Sequence, residues 1–143
     1  MPVRRETDHL GAYNFLVEIE GIETGGFRSV RGLSGEIDVV EFRDGADQFV
    51  QKVPGVARFG DVVLEHGYVG TTELLEWWES IREGSGDRRS MSIILLDEAR
   101  QEVRRWDCSG CWPRRWELSP LEGVASRTLF ESITIVVERI AVG

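Results

Sequence analysis

The sequence predicts a mainly β fold, a small antiparallel β-barrel or sandwich with one α-helix. About six or seven stretches have the alternation or length of strands, and a single stretch has helical periodicity. The apolar surface of these strands exceeds what one helix covers. At 143 residues the chain has the size of one domain, so we expect a single domain over residues 1–143.

The composition is that of an acidic globular protein. Hydrophobic residues make up 41% of the chain and charged residues 29%, with a formal net charge of −8. This charge disfavours nucleic acid as a surface ligand, because phosphate contacts need clustered lysine and arginine. Only Lys52 among the 17 basic residues is a lysine, and arginine favours bidentate pairing with carboxylates at interfaces.

The beginning of the chain shows no targeting signal. Residues 1–11 are mostly polar or charged without the apolar core of a signal peptide, and we expect an N-terminal arm there. The longest apolar runs, 93–96 and 133–137, are far shorter than the roughly 20 residues of a spanning helix. We therefore expect no membrane segment and a protein kept in the cytoplasm unless a particle carries it out.

Two strands are predicted before residue 43. The first, residues 13–19, alternates apolar and polar residues as a strand with one buried face does. The second is long and irregular and covers residues 27–42. Its apolar residues change phase, which indicates a bulge or a strand covered on both faces.

An extended loop is predicted over residues 43–56. Asp44–Gly45 is a strong turn signal, yet the stretch is long for a simple hairpin. It keeps Phe49 and Val50 in its middle, and a loop that carries apolar residues usually packs on something. The alternative is a loose surface loop without a partner.

The helix is predicted over residues 72–83, after a strand over residues 62–69. Leu74, Trp78 and Ile81 recur at helical spacing and predict its apolar face, with Leu75 and Trp77 flanking them. A threonine at 71 or 72 is expected to cap its first turn.

An acidic stripe is predicted on the opposite face of that helix. It consists of Glu76, Glu79 and Glu83. The stripe is either a solvated face or a contact surface for a basic partner.

The remaining strands are predicted at residues 91–96, 103–108 and 129–142. The strands near Ile94 and Val136 are apolar on both faces. Exposed apolar patches beyond a few hundred Å² are unusual in a monomer, and long unpaired edges invite pairing with other chains. We therefore expect an obligate oligomer.

One constellation could carry chemistry, the C-x-x-C pair of Cys108 and Cys111. A redox pair is expected at a helix N-terminus, but Trp112–Pro113 does not begin a helix. A zinc site needs two further ligands, and the only histidines, His9 and His66, lie far apart in the sequence. No nucleophile elbow or phosphate-binding loop is present, so we expect no enzyme and no cofactor.

A series of landmarks follows in a distinctive order along the chain. They are the aromatic strand 13–19, Gly26–Phe27, Gly32–Leu33, the segment 41–45, Pro54–Gly55, the segment 59–64, Gly67, Trp77–Trp78, Trp106, Trp112–Pro113 and Trp116. Their order resembles that of the tail tube protein family of contractile phages and bacterial contractile injection systems. The resemblance covers residues 13–142 and implies an Hcp-like, tail-tube fold.

The resemblance also implies a mode of action. Subunits would form hexameric rings that stack into a hollow tube inside a contractile sheath and conduct a protein or DNA payload. The baseplate or spike and a tube terminator would be further partners. The loop 43–56 would then reach the adjacent ring, through Arg43, Asp44, Asp47, Phe49, Val50 and Lys52. The acidic stripe would face the sheath.

Three alternatives remain open. One is a tube-initiator paralogue that joins the first ring to the baseplate or spike, and another is a type VI secretion tube protein. From a different class comes a small redox or metal-binding β-domain that uses Cys108 and Cys111.

Overall fold

The computed structural model describes residues 14–22, 27–67, 72–119 and 129–143. These residues form one helix and nine strands, in accord with the predicted fold class. The elements are β1 (Asn14–Ile19), β2 (Ser29–Arg31), β3 (Gly35–Phe42), β4 (Gln51–Phe59), β5 (Val62–Gly67), α1 (Glu73–Arg82), β6 (Arg89–Leu96), β7 (Glu102–Leu118), β8 (Phe130–Val136) and β9 (Arg139–Val142). The predicted N-terminal arm lies outside the described residues.

Seven of the strands form one antiparallel sheet. This sheet and the helix are together called the body. The strand order of the sheet is β1-β6-β7-β8-β5-β2, and β9 pairs with β7. The predicted closed barrel is not formed, because β1 and β2 end this order without pairing to each other among the described residues. Among the described strands, β3 and β4 pair only with each other and form a separate hairpin.

Strand β7 folds the body over its core. Its first half pairs with β6 and β9, and its second half pairs with β8. The register with β6 shifts between Met91, opposite Cys108, and Arg89, opposite Cys111. Gly110 supplies the positive φ of 64° that this bulge requires. A strand that bends at a bulge passes from one half of a sandwich to the other.

The core lies between the two halves of the body and under the helix. Residues at alternating positions of β5 and β8 point inward, as their burial pattern shows. The helix adds Leu74 and Trp77, which are 4% and 1% exposed. The main aliphatic residues are Val17, Ile19, Val62, Leu64, Met91, Ile93, Ile133, Ile135 and Val137.

The apolar face of the helix differs from the prediction. Trp77 is buried and donates a hydrogen bond from Nε1 to the carbonyl of Asp87 at 2.8 Å, whereas Trp78 is half-exposed. Residue 77 lies three positions after Leu74, which is as close on a helix surface as four. The threonine cap is also absent at Thr72, whose hydroxyl donates to Glu76 Oε1 at 3.1 Å and not to the backbone.

Two predicted strands are each divided. Gly32, at φ +93°, separates β2 from β3, so the two strands belong to different sheets. The last strand breaks after Val136, and β9 returns to pair with β7. The predicted loop 43–56 is shorter in the structure, because β4 begins at Gln51. Pro54 is accommodated in β4 because that strand has an open edge.

Candidate assembly interfaces

The hairpin of β3 and β4 exposes apolar side chains on both of its faces. Cross-strand pairs share a face, so Val39 lies with Pro54 and Val40 with Val53 on the opposite side. Val39 is 62% exposed and Val40 48%. The other exposed large hydrophobic residues of this hairpin are Ile37, Phe42, Phe49, Val50, Val53 and Val56. Such a concentration of apolar surface is typical of a contact with another molecule.

As predicted, β3 carries apolar residues on both faces. The bulge itself lies in the partner strand, β4. Val39 pairs with Pro54 and Ile37 with Ala57, so β4 contains the extra residue. An added Cβ at Gly55 would lie 2.9 Å from Val40 Cγ2 and 3.1 Å from the Asp38 carbonyl oxygen. Glycine therefore allows the bulge to lie tightly against β3.

The six residues predicted for contact between rings lie together at the tip of the hairpin. Residues 43–50 connect the two strands, and Lys52 follows opposite Glu41. The turn is held by the Asp47 N–H, which donates to the Asp44 carbonyl at 2.9 Å. Phe49 is 80% exposed at this tip. The arrangement offers an apolar residue surrounded by charges of both signs.

The acidic residues predicted for sheath contact lie on the outer side of α1. Glu76 is exposed in the first turns, Glu79 is half-buried, and Glu83 follows the last turn. Arg82 lies 3.8 Å from Glu83 and partly offsets the charge at that end. Glu76 also lines an open cleft of about 290 Å³.

Asp87 and Arg89 also line that cleft. The Arg89 guanidinium donates to both carboxylate oxygens of Asp87, at 2.8 to 3.2 Å, and its Nη1 donates to the Glu20 carbonyl. These hydrogen bonds hold the pKa of Asp87 below its usual value. The pair fixes the segment between the helix and β6 to the end of β1.

A buried polar network in the body was not predicted from the sequence. His66 and Glu131 are 6% and 2% exposed, and His66 Nε2 lies 2.5 Å from Glu131 Oε1. Trp116 Nε1 donates to the other carboxylate oxygen at 2.7 Å. The Phe27 ring lies beside the imidazole, with 4.7 Å between centroids. Both carboxyl oxygens of Glu131 therefore have hydrogen-bond partners, as buried polar atoms require.

The two cysteines come together inside the core. A regular strand would point positions i and i+3 to opposite faces, but the bulge at Gly110 turns both thiols inward. Cys108 and Cys111 are free and buried. Their mutual hydrogen bond lowers the pKa of Cys108 and raises that of Cys111, which burial raises further.

Metal and membrane features can be assessed over the part of the chain that the structure describes. Within it, no group of three or more histidine, cysteine, aspartate or glutamate side chains is arranged to hold a metal ion. In the same part of the chain, no helix is long and apolar enough to span a membrane.

The body has its own core, whereas the hairpin leaves its apolar residues exposed. Comparison with known families identifies the class: the family of the T4-like virus tail tube protein gp19 matches residues 11–141. The chain belongs to this family, and it is a structural tube subunit.

Solved structures support this assignment. The chain is 26% identical to a protein in the sheath–tube complex of an extracellular contractile injection system, PVC, in its extended state. The TM-score is 0.83, with 96% of this chain and 93% of that chain covered. No curated protein sequence matches the chain.

More distant structures share the fold. A chain from the tube-terminating cap of the anti-feeding prophage is 23% identical, with a TM-score of 0.83, and the match covers 99% of this chain and 95% of that one. Hcp1 from Flavobacterium johnsoniae is 17% identical, with a TM-score of 0.61 and coverage of 91% and 94%. The likeness is thus stronger to these injection-system chains than to Hcp1.

Proposed function

We propose that six copies of this chain close into a ring and that rings stack into the inner tube of a contractile particle, which conducts a payload without catalysis. The observation that carries this proposal is the hairpin, whose apolar residues are exposed on both faces. A neighbouring copy that covered one face would remove that surface from water, which is the main driving force of association. The open edges of β3 and β4 would pair with strands of neighbours.

Contact between successive rings is proposed for the hairpin tip. Phe49 and Val50 would pack against the next ring, and Arg43, Asp44, Asp47 and Lys52 would supply polar contacts at its rim. The mixed charges at the tip support this role, because an apolar centre with a polar rim is the usual anatomy of a protein interface.

A shortened hairpin tests the contact between rings. Phe42 and Gln51 form the last pair of the ladder, so residues 43–50 can be replaced by Asn-Gly, a two-residue hairpin turn. We expect a folded subunit that forms no tubes in negative-stain micrographs or sedimentation. Ala46→Ser in the intact tip serves as the control and should assemble normally. Tubes of ordinary length from the shortened protein would refute the proposed contact.

The outer face of α1 is proposed as the sheath contact, through Glu76, Glu79 and Glu83. A related chain belongs to a sheath–tube complex, which supports a sheath partner for this one. Exposed ion pairs contribute only about 0–1 kcal/mol each, so such a contact would release during contraction.

Charge reversal tests this contact on assembled tubes. Tubes that carry lysine at 76, 79 and 83 should lose sheath in a cosedimentation assay. Lysine at Glu98, Glu102 and Glu117 changes the net charge equally away from the helix and should leave sheath binding intact. Equal sheath binding by both variants would show that the stripe is only a solvated face.

The position in the particle is a further part of the proposal. We infer a bulk subunit that is assembled in the cytoplasm and meets a baseplate or spike at one end of the tube and a terminator at the other. Related chains belong to an anti-feeding prophage baseplate and to a tube-terminating cap. Polymerisation of the purified protein alone would support the bulk subunit. A single ring that binds a baseplate component and adds no further rings would instead indicate a tube initiator.

A further inference from the structure

The hairpin is attached to the body through two short segments that lie side by side. Residues 32–34 lead from β2 into β3, and residues 60–61 lead from β4 into β5. Almost every hairpin residue beyond them is exposed, apart from Asp38 and Phe59. The hairpin meets the body at this crossing and also where β4 approaches β9.

The crossing is packed at backbone distance. A Cβ on Gly32 would lie 2.1 Å from the carbonyl oxygen of Asp61, and a Cβ on Gly60 would lie 2.2 Å from Ser34 Oγ. The Gly60 N–H donates to the Ser34 carbonyl at 3.1 Å. Only glycine permits the two segments to approach this closely.

The side chain of Arg114 reaches this crossing from the body. The register between β7 and β8 shifts between Pro113 and Arg115, so Arg114 is the extra residue of a bulge. The bulge turns its guanidinium toward Asp61, with 3.2 Å between Nη2 and Oδ2. The carbonyl of the same residue accepts a hydrogen bond from Trp78 Nε1 at 3.2 Å. Arg114 thus contacts both the helix and the crossing.

We propose that Arg114 is a positioning residue that holds the hairpin at one angle relative to the body and α1. The inference rests on the proposed role of the hairpin in contacts between copies. Neighbouring copies would require every hairpin at the same angle, and a hairpin free to swing would lose that freedom on association. A hairpin held beforehand avoids this entropic cost and associates at lower concentration.

The chain offers a matched control for this residue. Arg115, the next residue, is also exposed and ion-paired, with 2.8 Å between its Nη2 and Glu117 Oε2. Arg114→Ala and Arg115→Ala therefore remove the same side chain and one surface ion pair each. Only the first pair involves the crossing. Both proteins keep the backbone acceptor for Trp78 and should unfold at the temperature of the parent protein.

Distances within the unassembled subunit provide the direct test. Nitroxide labels are attached to Ala46→Cys at the hairpin tip and Glu83→Cys after the helix. Pulsed electron–electron double resonance then measures the distance between the two labels, which depends on the hairpin angle. Cys108 and Cys111 are buried and stay unlabelled. We expect one narrow distance distribution for the parent and for Arg114→Asp combined with Asp61→Arg. Arg114→Ala alone should at least double its width, and Arg115→Ala should not.

Assembly provides the second readout. Loss of a surface ion pair corresponds to a change in an equilibrium constant of up to about fivefold, so Arg114→Ala should raise the concentration for half-assembly by about that factor. An unchanged distance distribution in Arg114→Ala, or equal broadening in Arg115→Ala, would overturn the inference. If the parent formed no assemblies, the proposed function would fail, but the distances would still decide the role of Arg114.

Discussion

The body and the hairpin solve the problem of apolar surface in opposite ways. In the body, alternating residues of β5 and β8 face a shared core, and its buried polar atoms have partners among the described residues. In the hairpin, apolar residues lie on both faces and remain exposed. The difference teaches that the buried core of the single chain lies in the body, whereas the hairpin keeps apolar surface exposed that the proposed contact with a second copy would cover.

The largest effect on stability is expected from the buried carboxylate. Glu131→Ala leaves the imidazole of His66 and the indole N–H of Trp116 without their acceptor in the core. Each buried donor left without an acceptor costs about 1–3 kcal/mol, so the two together should cost about 2–6 kcal/mol, which urea unfolding would measure. Glu117→Ala, at an exposed position of β7, should change the free energy of unfolding by less than about 0.5 kcal/mol. Similar values for both variants would show that the network contributes little.

The next largest effect on stability is expected at the crossing between the body and the hairpin. Gly32→Ala places a methyl group against the Asp61 carbonyl at a residue with φ +93°, and strain of this kind costs about 1–3 kcal/mol. Gly45→Ala at the hairpin tip is the matched control, because no atom lies within 4 Å of its added Cβ. Thermal unfolding of the two proteins measures the difference. An unaffected Gly32→Ala protein would mean that the crossing opens without cost.

A smaller, pH-dependent effect is expected at the surface of the body. Arg89 lowers the pKa of Asp87 in the folded chain, so the pair stabilises the fold above the unfolded pKa of about 4. That contribution is lost as the pH falls through the lowered pKa. Asp87→Asn should therefore cost up to about 1 kcal/mol near neutral pH, and the difference from the parent should vanish in acid.

The control for this titration lies in the hairpin. Ala46→Ser changes an exposed residue at the tip without adding or removing an ionisable group and should leave the pH dependence of unfolding unchanged. Urea unfolding at a series of pH values between 2 and 7 would check both expectations. If the free energies of unfolding of Asp87→Asn and the parent differed by a constant amount over this range, the role of the ion pair would be contradicted.

Local patterns were sufficient to predict the fold class and the helix. Periodicity depends on near neighbours in the chain, and it located α1 and most strands of the body. The hairpin was less predictable, since the break at Gly32 depends on its approach to Asp61, 29 positions later. Likewise, the inward position of both thiols depends on a bulge that is defined by pairing with β6.

The buried network had a signal in the sequence that was not used. Glu131 lies two positions before Ile133, and His66 two positions after Leu64, so each shares the inward face of its strand. Alternation alone places them inside. It does not show that they meet, because that depends on the pairing of β5 with β8, where His66 is opposite Glu131.

Replacing one valine by alanine in the body and one in the hairpin compares the stability contributions of the two regions most directly. Val62→Ala opens space in the core, where Val62 is 0% exposed, and should cost about 2–3 kcal/mol. Val39→Ala removes an identical group from a residue that is 62% exposed and should cost about 0.5 kcal/mol in the unassembled subunit. Urea unfolding below the concentration of assembly compares the two. Equal costs would mean that Val39 is already covered within one subunit, and the hairpin would no longer need a second copy.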